Sequence, residues 1–201
     1  MTDDLRLGLD KSRRVALIAM MTALTLVANY VVIVAPNVEI GSSVLFVTGL
    51  LFGVQVAVAV VLLVAVVFGL FNPWGPSIFI YEVWITQVVG WLFIAIAGHV
   101  IGRSGSAGDD KLAPWQYGVV GVVLTLFYDT VTNLGWAWAS SIPFAVTMIT
   151  GLPFMAVHVI SNAFIFSIVV TRLESTVRRQ MSSILWESSS VIQDSPKSKK
   201  A

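Results

Sequence analysis

From Val44 to Phe71 the chain reads VLFVTGLLFGVQVAVAVVLLVAVVFGLF, without one charged side chain. A bilayer core about 30 Å thick takes about 20 helical residues to cross. This block is too long for one straight crossing and too short for two full ones. Either a single long helix tilts through it, or two short helices turn near Gly53, where Gly49, Gly53 and Gln55 interrupt the aliphatic run. Composition places the chain in a membrane: 57% of its residues are hydrophobic and 11% charged, with a mean hydropathy of +0.87. Soluble domains carry about 25% charge. Lipid offers backbone groups no hydrogen-bond partner, so apolar spans of this kind form helices. The fold class expected is an all-α integral membrane protein.

Other apolar runs extend from Val15 to about Ala35, Ile78 to Ile101, Tyr117 to Ala139 and Pro143 to Thr171. The first exceeds the roughly 7–15-residue core of a signal peptide, and Asp3, Asp4 and Asp10 precede it, so it reads as a retained span. Charge decides how the Val44–Phe71 block is divided. All twelve Lys and Arg fall within residues 6–14, 103–111 and 172–200. The positive-inside rule puts these three segments on the cytoplasmic side, which requires an even number of crossings between Arg14 and Arg103. The expectation is therefore six transmembrane helices, with short second and third helices and both termini cytoplasmic. Residues 1–14 form a cytoplasmic N-terminal segment and 15–172 a six-helix membrane domain. Residues 173–201 form a cytoplasmic tail, largely disordered beyond Glu187.

Ionisable groups inside such helices are costly, at least about 2.5–3.5 kcal/mol on insertion scales, and mark cavities, partners or ligands. In TLFYDTVTNLGWAWASSIPF, Asp129 and Asn133 stand four residues apart and share a helix face, with Trp136 three residues on. Glu82 lies about one turn inside the fourth helix, and His158 and Asn162 repeat the four-residue spacing on the sixth. The outward helix ends gather further polar and aromatic residues, among them Asn37, Glu39, Trp74, Tyr81 and Trp84. These residues read as a pocket open to the outside, with Asp129, Asn133, Glu82 and Trp136 touching one ligand. The competing readings are interhelical hydrogen bonds for Asp129–Asn133 and His158–Asn162, and an interfacial aromatic belt for the tryptophans. Two carboxylates beside amides and indoles suit a cationic or amine-bearing aromatic molecule. With no cysteine and two histidines on separate helices, no metal site is expected. No basic–aromatic pattern points to nucleic acid.

Ala16, Ala19 and Ala23 make a small-residue stripe on the first helix, at a spacing that lets two helices approach closely. That stripe, the Gly-broken second and third helices (VLFVTGLLFGVQVAVAV), the Asp/Asn-bearing fifth helix and GLPFMAVHVISNAFIF on the sixth resemble the S components of energy-coupling factor (ECF) transporters. The resemblance covers roughly residues 12–172. It implies a multi-pass cell-membrane subunit that binds a vitamin or related micronutrient near the outer face, without catalysis or cofactor of its own. A transmembrane coupling subunit and two ATPases would come from other chains, with Ala19 and Ala23 on the coupling surface. The substrate-binding residues would be Glu82, Asp129, Asn133, Trp136, His158, Tyr81, Trp84 and Asn37. Thiamine-like, flavin and cobalamin ligands remain open, with the pocket chemistry leaning to the first. Metal-binding members use an N-terminal histidine, and this chain begins MTDD. The alternatives are an intramembrane enzyme using Glu82, Asp129 and His158, or a membrane scaffold or chaperone without ligand. No G-x-x-x-x-G-K-[ST], H-E-x-x-H or G-x-S-x-G stretch occurs.

Overall fold

The computed structural model describes residues 11–104 and 112–180, and among these the regular structure is all helical. In chain order the helices are α1 (Lys11–Val31), α2 (Gly41–Phe52), α3 (Val54–Phe71), α4 (Tyr81–Ser104) and α5 (Pro114–Ser140). α6 begins at Phe144 and stays helical to Gln180, passing through a π turn at Phe166–Val170. A 3-10 turn at Ser77–Phe79 leads into α4. Five helices, all but α2, are long and apolar enough to cross a membrane, which makes this a multi-pass, membrane-embedded chain.

The uncharged block from Val44 to Phe71 breaks at Gly53. Its backbone (φ 83°, ψ 171°) lies where only glycine sits without strain. Gly53 N–H donates to the Gly49 carbonyl (3.2 Å), while its own carbonyl accepts from Ala57 N–H (3.1 Å), so one residue ends α2 and starts α3. The expectation of two short helices is corrected in one respect. α3 has 18 residues and is a full-length span; only α2, with 12, is short.

Every residue of α2 is buried. Uniform apolarity is the pattern of a helix enclosed on all sides, and here the bundle encloses it through glycine. Gly49 lies against the Ala95 carbonyl on α4, and Gly98 and Gly102 lie against the Phe46 and Leu50 carbonyls on α2. A Cβ at any of the three would strike backbone, which cannot swing aside. Gly98 and Gly102 are one turn apart, the small-xxx-small arrangement that brings membrane helices into contact. Phe46 then reaches the far wall, with ring centroids 6.1 Å from Tyr117 and 5.5 Å from Phe166.

Helix directions follow from two ties. Arg14 Nη2 donates to Gln55 Oε1 (2.8 Å) where α1 and α3 begin, and Tyr30 Oη donates to the Phe71 carbonyl (3.3 Å) where both end. α1 and α3 therefore run parallel, and α2 carries the chain back between them. At the end of the bundle holding Arg14, Tyr117 Oη and Arg178 Nε each donate to the buried Glu174 carboxylate at 2.8 Å. That cluster fastens α6 to the start of α5 beyond residue 172, so the helix runs on past the expected end of the membrane domain. The rest of the expected tail, 181–201, and residues 1–10 lie outside the described residues.

Candidate ligand site

Three segments deliver charged groups to one point inside the bundle. Glu39 comes from the loop between α1 and α2, which turns through Asn37 in the left-handed region (φ 57°). Asparagine tolerates that conformation better than most residues. The loop is drawn inward at both ends: Gly41 N–H donates to Asn29 Oδ1 (3.0 Å), and Ser161 Oγ on α6 donates to the Asn37 carbonyl (3.2 Å). Asp129 comes from the middle of α5 and His158 from α6. At about 1.5 Å per residue, Asp129 lies roughly 16 Å below the Ser140 end of α5, and His158 roughly 20 Å below the Phe144 end of α6.

His158 stands between the two acids. Its Nδ1 is 2.7 Å from Asp129 Oδ1 and its Nε2 is 3.6 Å from Glu39 Oε2. The first is a short hydrogen bond; the second is an ion-pair contact too long to be one. Glu39 is held from its other side, where the Trp91 indole N–H donates to Oε1 (2.9 Å). Trp91 is fully buried and stacks on Tyr128 (centroids 6.4 Å apart), and Tyr128 meets His158 edge to face at 5.8 Å. The side chains of His158, Asp129 and Glu39 are 5%, 11% and 17% exposed. Asp129 Oδ2 and His158 Nε2 are buried and have no hydrogen-bond partner among the described residues.

The triad forms the deep wall of a cavity of about 380 Å³. Nearer the helix ends the cavity is lined by Asn72, Trp74 and Ser77, and its sides include Ile33, Phe154 and Met155. Trp74 is largely exposed, and its indole donates to the Ile33 carbonyl (3.2 Å), joining the α3–α4 turn to the end of α1. The cavity thus has sides of mixed apolar and polar side chains, Asn29, Gln87, Thr132 and Asn133 among the latter, a charged base, and access from one end of the bundle. The base does not resemble a metal centre. The two nitrogens of one imidazole point in opposite directions, one to each acid, and among the described residues no three His, Asp or Glu side chains are arranged to hold an ion.

Of the residues singled out from sequence, Asn37, Asp129, Asn133 and His158 line this cavity. Asn133 is partly engaged, its amide donating to the Asp129 carbonyl at 2.7 Å. Glu82, Tyr81, Trp84 and Trp136 are not among its lining residues. Tyr81 and Trp136 are about half exposed on the outside of the bundle, and Tyr81 packs edge to face on Trp138 (5.8 Å). Trp84 turns toward α3, where its indole donates to the Ala65 carbonyl (2.9 Å). Glu82 sits in the first turn of α4. Asn162 is a helix tie, donating to Thr125 Oγ1 (2.9 Å).

Tyr128, Gln87 and Trp91 were not among the residues singled out for the site; Glu39 was gathered with the outer pocket residues but not counted among the ligand contacts. Glu39 carried a signal: it is the only charged residue between Arg14 and Glu82. In PNVEIGSS nothing local shows how far the turn folds inward.

No family model, curated protein or solved structure matches this chain. The site's chemistry must therefore be judged on its own geometry. Removing one partner from a buried ion pair costs about 3–5 kcal/mol. His158→Gln, which leaves two carboxylates facing each other in the interior, should destabilise the protein by about that amount. Adding Asp129→Asn to the same chain should recover most of the loss. Unfolding of the detergent-solubilised protein would measure both, and a double variant no more stable than His158→Gln would mean that the acids do not confront each other.

Proposed function

We propose that this chain is the substrate-binding S component of an ECF-type importer in the cell membrane, taking up a vitamin-like micronutrient. The observation that carries the reading is the cavity. It is reached from one end of a membrane-embedded bundle and ends in buried, incompletely hydrogen-bonded Asp129 and His158. A cavity that opens at one end of the bundle and has charged groups at its base has little purpose in a scaffold, whereas a polar ligand would supply the missing partners. The volume of about 380 Å³ lies at the low end of the roughly 300–1,000 Å³ typical of small-molecule sites. That favours a ligand the size of thiamine over a flavin, and speaks against a corrinoid.

Six crossings with both termini in the cytoplasm complete the proposal. Parallel α1 and α3 support it, since α2 must then return the chain across the bundle, and Arg14, Arg103 and Arg172 then share a side. The chain has no cysteine, so single cysteines can report topology directly. Replacements at Ser104 and Ser175 should label from the cytoplasm and one at Ser141 from outside. Ser104 and Ser175 labelling from opposite sides would rule out this arrangement.

The ligand itself is sought by native mass spectrometry of the purified protein, where a small molecule should accompany the chain. Truncating one member of a buried charged contact costs about 2–5 kcal/mol, or roughly 30-fold to several thousandfold in affinity. Asp129→Asn should weaken binding of that molecule to this degree. Trp136→Ala, altered on the outer surface, should change it by less than about threefold. Equal effects at the two positions would move the site away from this cavity.

ATP hydrolysis would be supplied by the two ATPase subunits, through the transmembrane coupling subunit. Ala19 and Ala23 are exposed on the outward side of α1 and thus free to meet that subunit. Ala19→Leu or Ala23→Leu should abolish uptake while ligand affinity stays within about twofold, because added bulk blocks close helix approach. Uptake that survives both substitutions would remove α1 from the coupling surface.

A further inference from the structure

The Glu39–His158–Asp129 triad has one feature that ligand binding alone does not require: two acids face a single base. No Lys or Arg lines the cavity, so His158 is its only described side chain that can carry positive charge. From every packed element the groups facing His158 are few. Glu39 comes from the α1–α2 loop, Asp129 and Tyr128 come from α5, and α4 contributes neutral Gln87 and Trp91 nearby. α3 offers Phe68 and Asn72 and adds no charge.

Charge balance then determines how many protons the triad holds. Fully deprotonated, two carboxylates and a neutral imidazole carry two negative charges. Unpaired charge in a low-dielectric interior costs several kcal/mol per ion, which favours a neutral ligand-free triad with two protons shared among the three groups. Those protons belong to the cluster and not to single residues, as in any strongly coupled set. When a ligand brings one positive charge to the base of the cavity, the protein part must carry one negative charge for the whole to stay neutral. The triad then holds one proton, leaving an imidazolium between two carboxylates, and the ligand cation pairs with the excess negative charge. Asp129 Oδ2, buried and lacking a partner, is an acceptor already in place for it. The loose 3.6 Å contact between His158 and Glu39 is where a cationic group can enter.

We propose that this site binds its ligand as a cation in exchange for one proton, with the Glu39–His158–Asp129 triad as the exchanger. The inference rests on the reading of the cavity as the ligand site. The balance is simple: the neutral, doubly protonated triad and a monocation give a neutral complex and one proton. That proton leaves through the open end of the cavity to water. No other bond is made or broken. Because proton and cation compete, acid weakens binding and alkali strengthens it, until the triad no longer holds its second proton.

The test uses benzamidinium, a flat aromatic cation that keeps its own protons near neutral pH, and benzamide, its neutral counterpart of matching shape. Both are titrated into the purified full chain, freed of any bound molecule, by calorimetry in two buffers of different ionisation enthalpy. Benzamidinium should bind more tightly and release close to one proton per molecule. Its affinity should fall by up to about tenfold per pH unit as the triad takes up its second proton. Benzamide should release none and show a flat profile. The double substitution Glu39→Gln, Asp129→Asn, if it folds, should abolish the release. Benzamidinium binding without proton release, or benzamide binding as tightly, would overturn the exchange while leaving the cavity as a ligand site. Failure of both probes to bind at millimolar concentration would overturn the site and the exchange together.

Discussion

The structure depends on how closely α2 can approach α4. Gly49, Gly98 and Gly102 remove the side chains that would separate the two backbones, so a 12-residue helix fits inside a ring of longer ones. Hydrophobic exclusion cannot drive that packing, because lipid is as apolar as leucine; contact and shape must do so. Since α2 is short and wholly enclosed, the loop before it has to reach into the bundle to meet its first residue. That inward reach carries Glu39 to the level of Asp129 and His158. The depth of the charged triad thus follows from the packing of a helix that contributes no side chain to it.

Within the bundle, charge is placed where it can be balanced. The bulk of the exposed surface is aliphatic and aromatic, while the acidic groups at depth converge on one imidazole. Trp91 fixes Glu39 from behind, Tyr128 supports the His158 ring, and Asn133 orients toward the Asp129 backbone. Within the triad, Asp129 Oδ2 and His158 Nε2 lack hydrogen-bond partners among the described residues. Full satisfaction would make the cluster a purely structural tie. Its incompleteness is what makes it chemically available.

Much of this was legible in the sequence, for identifiable reasons. Long apolar runs gave the helices, the placement of twelve Lys and Arg pointed to a break within Val44–Phe71, and the break falls at Gly53. Asp129, Asn133 and His158 stood out because lipid makes them costly. What could not be read were tertiary facts. Periodicity puts Trp136 on the face of Asp129, but the indole lies half exposed and does not line the cavity. Tyr81, Trp84 and Glu82 share the chain neighbourhood of the cavity mouth, yet the rotation of α4 turns Gln87 and Trp91 inward instead. Glu39 was gathered with the outer pocket residues, but its place beside His158 required knowing that a polar turn folds into the protein. Gly98-xxx-Gly102 was present in the sequence as plainly as the alanine stripe, and only the packing of α2 gives it meaning.

One helix touches both the proposed docking stripe and the site. α1 presents Ala19 and Ala23 outward, and near its far end Asn29 turns inward to hold Gly41 N–H, the first residue of α2. From Ala23 to Asn29 is roughly 9 Å along the helix at about 1.5 Å per residue. A Cβ at Gly41 would overlap the Asn29 side chain, so that junction has no slack. The α1–α2 loop is fixed on one side by this junction and on the other by Ser161 of α6, with Glu39 between them. A partner that shifted α1 along the bundle would have to pull on Asn29, and through Gly41 on the loop that carries Glu39. The longest charged contact of the triad, Glu39 to His158, is the one such a pull would open first. Asp129 and His158 lie on α5 and α6, joined along their length, and would stay together.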